Sequence, residues 1–137
     1  ILGNVEDGVI DAPIGRDPHR PRARAVRDDG KAATTEVATL ARCGDIGIVA
    51  VMPLTGRTHQ IRVHLSHRGA PILGDRLYGG PATVLVEDAV IELQRIVLHA
   101  CRLEIPVGGV MRVFEAPLPA DLRDLVARGV ALDRVFA

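Results

Sequence analysis

A long run of alternating side chains, from Thr34 to Leu54, constrains the fold of this chain more than any other feature. Its first half places on one face the side chains of Thr35, Val37, Thr39, Ala41 and Cys43. Its second half places together the apolar side chains of Ile46, Ile48, Ala50, Met52 and Leu54. Period-two alternation is typical of half-buried strands, and the Gly44-Asp45 link between the halves is typical of a two-residue turn. The pattern therefore predicts an antiparallel hairpin whose second strand has a continuous apolar face.

The segments on either side of this hairpin carry weaker signals. Gly8 to Ile14 is short, apolar and interrupted by a proline, which predicts an edge strand. Prolines and charged side chains make Arg16 to Lys31 a predicted loop or extended arm. After the hairpin the apolar spacing becomes that of a helix, with Thr58 as its N-cap and Gly69 at its end.

The remaining third of the chain predicts a second hairpin and a last helix. Residues 84–95 are ambiguous and favour a helix weakly, whereas 96–105 and 110–115 predict strands joined by a glycine turn. A helix entered through two prolines places inward Leu122, Leu125 and Val126. Strands linked by hairpins, with few helices, predict an α+β fold with a mixed, mostly antiparallel sheet.

Composition excludes several classes of protein. With 47% hydrophobic residues the chain is typical of a globular domain rather than a disordered one. It has neither an apolar run long enough to span a membrane nor a secretion leader, so we expect a cytoplasmic protein. The two cysteines, Cys43 and Cys101, are predicted to be buried free thiols.

One basic strip stands out from a formal net charge of zero. Between Leu54 and Gly80 lie four arginines, three histidines and a single acid, Asp75. Five polar or cationic side chains occupy six positions at the predicted helix start: Arg57, Thr58, His59, Gln60 and Arg62. The first turn of a helix offers unpaired N–H groups and favours an anion. Local chemistry leaves two interpretations equally open, an anion site or a solvated helix start whose arginines pair with nearby acids.

Five segments, in order and spacing, resemble the RluA-type pseudouridine synthases. They are Pro13-Ile14-Gly15-Arg16-Asp17-Pro18, then Gly30-Lys31 with Ala33 and Thr35, then residues 54–65, then residues 69–79 with Pro71-Ile72-Leu73-Gly74-Asp75 and Tyr78-Gly79, and finally Leu98-His99-Ala100 with Phe114-x-Ala116-Pro117-Leu118-Pro119. The resemblance covers nearly the whole chain. It implies the α+β catalytic-domain fold of that family.

The resemblance also implies an activity, the isomerisation of specific uridines to pseudouridine in structured ribosomal or transfer RNA, without cofactor or metal. In such enzymes an aspartate attacks the nucleoside, the glycosidic bond breaks, and the uracil is rejoined through carbon. By position in the motif, Arg62 is the catalytic arginine that pairs with this aspartate, since a nearby cation keeps a carboxylate ionised and aims it. The positions implied as RNA-binding are Arg57, Thr58, His59, Gln60, Lys31 and Arg16.

The aspartate of that family belongs to a His-Arg-Leu-Asp segment, which this sequence does not contain. We therefore expect residues 1–137 to be the C-terminal portion of a catalytic domain, truncated at its N-terminus and inactive alone, since the nucleophile and a following active-site tyrosine are not in it. Tyr78 matches a later loop of the family. The alternatives are a non-catalytic RNA-binding module of the same fold and a metal-dependent hydrolase using His59, His64 and His67. The sequence gives no indication of oligomeric state.

Overall fold

The computed structural model describes residues 1–86 and 88–129, which form strands and helices joined mostly by short turns. In chain order these are β1 (Gly8–Asp11), β2 (Ile14–Arg16), β3 (Arg24–Val26), β4 (Thr34–Cys43), β5 (Ile46–Pro53), α1 (Gln60–His67), β6 (Thr83–Val86), β7 (Ala89–Glu92), β8 (Arg102–Val107), β9 (Val110–Glu115) and α2 (Ala120–Gly129). A 3₁₀ turn, Arg76–Tyr78, lies between α1 and β6. The paired strands are antiparallel, which confirms the predicted α+β class with a mostly antiparallel arrangement.

The largest sheet has three strands in the order β1-β4-β5, so β1 is an edge strand as predicted. The turn at Gly44-Asp45 joins β4 to β5 and confirms the predicted hairpin. Thr35 and Val37 of β4, which were predicted to share a face of the strand, are both buried.

The prediction that Met52 and Leu54 lie on the core-facing, apolar face of β5 is wrong. Cys43 pairs with Ile46, but a bulge between Thr39 and Ala41 shifts the register, so that Val37 pairs with Val51. Directly opposed residues share a face, and a one-residue shift exchanges the two faces of a strand. Val49 and Val51 consequently pack on the core, whereas Met52 and Leu54 are 54% and 53% exposed.

Two further segments differ from their predicted structure. Residues 84–95 contain the β6–β7 hairpin rather than a helix, with Asp88 in its turn at φ 66°. Val84 of this hairpin packs on Leu73, so tertiary burial overrides a weak helical spacing. The predicted arm of residues 16–31 contains β3, which pairs with β2. The second hairpin is confirmed from β8 onward, but its first strand begins six residues later than predicted, at Arg102.

Both helices form close to their predicted positions. The N-cap of α1 is His59 rather than Thr58, and it makes no side-chain capping hydrogen bond. Gly69 follows the helix at φ 73°, a left-handed conformation that favours glycine. In α2, Leu122 is buried as predicted. Neither helix is long and apolar enough to cross a membrane.

The core lies between the inner face of the three-stranded sheet and α1. Ile10 and Val37 from the sheet pack with Leu65 from the helix and with Ile72 from the loop after it. A second cluster joins Val63 of α1 to the β2–β3 hairpin and to Tyr78. The helix is thereby fixed on two sides, which positions its first turn. Cys43 and Cys101 are free but exposed, so their predicted burial is wrong.

The β8–β9 hairpin presents an apolar face to solvent, formed by Leu103, Ile105, Val107, Val110 and Phe114. Because so large an apolar patch favours association, we expect the isolated 137 residues to self-associate. Sedimentation of the purified chain measures this. A Leu103→Lys/Phe114→Glu variant, which places opposite charges on one cross-strand pair, should associate less. A monomeric wild-type chain that melts cooperatively would contradict the expectation.

Candidate active site

Arg62, in the first turn of α1, is bound side-on by a buried carboxylate. Its Nε donates to Oδ2 of Asp75 at 2.7 Å and its Nη2 donates to Oδ1 at 2.8 Å. The Asp75 side chain is 1% exposed and that of Arg62 is 18% exposed. Hydrogen bonding to this carboxylate raises the pKa of Arg62 above its usual value. The result is a permanently charged cation held in one orientation.

Tyr78 supports the face of the same guanidinium. The ring centroid lies 4.8 Å from Cζ of Arg62, a cation–π distance. The tyrosine is itself fixed, because Ser66 Oγ donates to its carbonyl oxygen at 2.8 Å and the backbone N–H of Arg24 donates to its hydroxyl at 2.9 Å. Arg62 is therefore bounded by a carboxylate along one edge and by an aromatic ring across one face.

His59 joins this group from the residue that precedes α1. Its backbone is left-handed, at φ 57°, and its Nδ1 lies 2.7 Å from the hydroxyl of Tyr78. Burial, followed by the positive charges of Arg62 and Arg24, lowers the pKa of His59 below its usual value. The ring is thus neutral at pH 7. The Tyr78 hydroxyl, which accepts from the backbone N–H of Arg24, has both a proton and a second lone pair, so it can donate to Nδ1 of the neutral ring or accept from it.

Gln60 lies beneath the site and uses its whole amide group in the interior. Its Oε1 accepts from the hydroxyl of Thr55 at 2.7 Å and from the backbone N–H of Arg57 at 3.0 Å. Its Nε2 donates to Thr34 O at 2.9 Å and to Thr35 Oγ1 at 3.0 Å. Gln60 thereby ties the 55–57 turn to β4, and its amide faces the core rather than solvent.

His64 continues this network and is completely buried. Its Nε2 donates to Ala12 O at 2.9 Å, so its Nδ1, which lies 2.8 Å from Thr35 Oγ1, accepts from that hydroxyl. The imidazole therefore links α1 to the sheet as a neutral ring. Since both nitrogens are engaged, His64 has no nitrogen for a metal ion, which argues against the alternative metal site. Across residues 1–86 and 88–129, no three metal-ligating side chains converge.

Burial makes the stability of the fold sensitive to mild acid. Desolvation lowers the pKa of His64 below 6.5, the value of an unperturbed histidine. As the pH falls through 6.5, the unfolded chain binds a proton that the folded chain excludes, so stability is lost. We expect urea denaturation to give a smaller free energy of unfolding at pH 5.5 than at pH 7.5. In His64→Gln this difference should shrink, and in His67→Gln, a change on the exposed side of the same helix, it should persist. Equal pH dependence in all three proteins would contradict the assignment.

The other site residues taken from the sequence lie on the flank of α1. Arg57 is exposed and its Nε donates to Ala32 O at 2.8 Å, beside Lys31 in the chain. Lys31 forms an isolated bridge to Ile14 in β2, the strand that also carries Arg16. The side chains of Arg16, Lys31, Arg57 and Thr58 are exposed.

Asp75 and Tyr78 complete the site, although sequence reasoning gave neither of them a role in it. One signal was available, because Asp75 is the single acid of the basic strip and directly follows an uncharged, mostly apolar segment, residues 69–74. The spacing of residues in the sequence does not show that the chain after α1 returns to the first turn of that helix. The interpretation in which Arg62 pairs with a nearby acid is thus correct for this residue, and the pair leaves part of the guanidinium available.

Comparison with known proteins gives consistent matches. Residues 2–67 match the RNA pseudouridylate synthase family. An uncharacterized RNA pseudouridine synthase of Chloroflexus aurantiacus is 48% identical over 120 residues, covering 86% of this chain and 36% of that protein. Ribosomal large subunit pseudouridine synthase D of Nitrosomonas europaea is 45% identical over 134 residues, covering 92% of this chain and 38% of that protein. The chain thus spans under two fifths of these relatives.

A solved structure shares the fold. Human RNA Pseudouridylate Synthase Domain Containing 4 superposes with a TM-score of 0.61 at 23% sequence identity. The match covers 89% of this chain and 56% of the human one.

Proposed function

The chain belongs to the RluA-type family of RNA pseudouridine synthases, and on that premise we propose that residues 1–137 are the C-terminal portion of a catalytic domain that isomerises specific uridines in ribosomal or transfer RNA. We infer that the working enzyme is cytoplasmic and uses no metal or cofactor. We further propose that these residues are inactive alone, because the reaction needs a carboxylate nucleophile from another part of the protein. The proposal rests on sequence similarity and on the geometry around Arg62.

The orientation of Arg62 is the observation that carries this proposal. A guanidinium has five N–H donors, and Asp75 occupies the two on the Nε–Nη2 edge. Nη1 makes no hydrogen bond to any residue in the described ranges. The end of the guanidinium, formed by Nη1 and the second N–H of Nη2, can therefore donate hydrogen bonds to another carboxylate that approaches end-on. A nucleophile paired there stays ionised and points in a fixed direction.

The chemistry then follows from that second carboxylate. It attacks the nucleoside, the bond between N1 of uracil and C1′ of ribose breaks, and the uracil turns and re-forms the bond through C5. The carboxylate is released as C5 bonds to C1′, C5 gives up its proton to solvent and N1 takes up a proton, so substrate and product are isomers and no oxidant or reductant is required. Arg62 takes no part in bond making. It holds and orients the nucleophile, while His59 and Tyr78 maintain the position of Arg62.

We assign RNA contact to the exposed cations on the flank of α1 rather than to its buried side chains. Arg16, Lys31 and Arg57 are exposed and suit phosphate contacts, and Thr58, which is also exposed, lies between Arg57 and His59 in the chain. His59 borders the site beside Tyr78. Gln60, which is buried, maintains the turn that presents Arg57. With few phosphate contacts, RNA affinity should fall only shallowly with salt.

The test is conversion of RNA by the full-length protein that the gene encodes. The substrate is RNA from a strain lacking that gene, labelled with tritium at C5 of uridine. Isomerisation releases this tritium to water, and nucleoside mass spectrometry after digestion identifies the product. We expect release that continues when a chelator is present. An absence of release with any cellular RNA would contradict the proposed activity.

The same assay distinguishes the proposed enzyme from the alternative function, a non-catalytic RNA-binding module. The absence of a His-Arg-Leu-Asp segment from these residues favours that alternative. RNA binding without tritium release, by a full-length protein that also lacks that segment, would support it. Release of tritium would exclude it.

A further inference from the structure

We propose that Asp75 is a positioning residue that sets which edge of Arg62 meets the nucleophile. This inference rests on the proposed function, because it concerns how that site is aimed. Without Asp75, the guanidinium would rotate about its last side-chain bonds and present any of its N–H groups. With Asp75 bound side-on, only the end of the guanidinium remains for a second carboxylate.

Asp75 is held by its own loop before it holds Arg62. Its backbone N–H donates to Ile72 O at 3.1 Å, and its carbonyl oxygen accepts from the N–H of Tyr78 at 3.1 Å and of Gly80 at 2.8 Å. The loop closes tightly, since a Cβ at Gly80 would lie 1.9 Å from Ile72 O. The backbone of this loop therefore has no room to shift, and it fixes the position of the Asp75 carboxylate. A rigid support of this kind suits a group that determines direction.

The same geometry excludes Asp75 as the nucleophile. Both of its oxygens accept from Arg62, and its side chain is 1% exposed, so a ribose or a uracil has no approach to it. The one acid of the basic strip thus acts through Arg62 rather than on the RNA. Its negative charge also offsets part of the positive charge that the nucleophile meets.

Asp75→Asn should therefore change two properties of the full-length enzyme. The amide no longer holds both N–H groups, and a reactive group displaced by about 1 Å can lose two orders of magnitude in rate, so kcat should fall about 100-fold. KM should change less than about 2-fold, because the RNA-binding side chains are untouched. Since Arg62 is then uncompensated, the nucleophile ionises at lower pH, and the acid limb of the rate profile should move downward.

Asp121→Asn is the matched control. Asp121 binds Arg95 with the same side-on pattern, at 2.7 Å and 3.1 Å, but on the exposed surface of α2. It should keep wild-type kcat and pH profile. Asp75→Glu is the second test variant, because it keeps the charge and displaces the guanidinium. In that variant kcat should remain low while the acid limb stays at its wild-type position.

Ile10→Ala, a substitution in the core, shows how much activity is lost through destabilisation alone. A loss of activity in Asp75→Asn that merely follows its loss of folded protein, with an unchanged pH profile, would overturn the inference. Full activity in Asp75→Glu or in Asp75→Asn would overturn it as well. A wild-type protein without any pseudouridine formation would instead overturn the proposed function, and this inference with it.

Discussion

Replacing Arg62 with lysine is expected to lower pseudouridine formation by the full-length protein about 1,000-fold, the loss seen when one preorganised polar group is removed from an active site. A lysine ammonium is a single point charge. It cannot bind Asp75 through two parallel hydrogen bonds and present a second, flat edge to another carboxylate, and it stacks poorly on Tyr78. Tritium release from C5-labelled RNA measures the rate.

Arg68→Lys is the control for this change, because it makes the same substitution on an exposed residue just after α1. It should react at the wild-type rate. Wild-type activity in Arg62→Lys would mean that the guanidinium has no part in the reaction, and the site would then have to be assigned elsewhere.

A double variant separates catalysis from folding at Arg62. Removing the arginine alone leaves the buried Asp75 carboxylate unpaired, which costs about 3–5 kcal/mol in comparable sites. Arg62→Met with Asp75→Asn removes both charges, so most of the free energy of unfolding should return. Activity should not return. Recovery of activity along with stability would show that the pair has only a structural role.

The second large effect concerns His64, and it is an effect on stability. His64→Ala opens a cavity between α1 and the sheet, and it removes the partner of the Thr35 hydroxyl and of Ala12 O. Lost packing and buried unsatisfied groups together cost about 3–5 kcal/mol. Because a domain is stabilised by about 5–15 kcal/mol in all, this is a large share of the total, and it should raise the ratio of unfolded to folded protein by more than about 100-fold.

Denaturation with urea measures this loss. His67→Ala, the same substitution three residues along α1 but on its exposed side, should change the free energy of unfolding by less than about 0.5 kcal/mol. Equal losses in the two variants would show that His64 contributes no more than helix propensity does.

Local patterns in the sequence predicted the β4–β5 turn, the β8–β9 turn and α2, because each depends on neighbouring residues. Those patterns did not predict which face of β5 is buried. A bulge at residue 40 places Val51 rather than Met52 opposite Val37, and nothing in the alternation of either strand marks that extra residue. The β6–β7 hairpin was missed for a related reason, since Val84 is ordered by contact with Leu73 from another segment.

Some features of the candidate site likewise follow from the sequence, whereas others depend on the tertiary structure. The sequence by itself determined the family, the cluster from Arg57 to Arg62 and its place at a helix start, since these follow from residue order and from the helical period. Only the tertiary structure decided that Asp75 and Tyr78 enclose Arg62 and that Gln60 faces the core. The physical reason is that hydrogen bonds and cation–π contacts depend on distance in space, and the loop after α1 brings together residues that lie 13 and 16 positions apart along the chain.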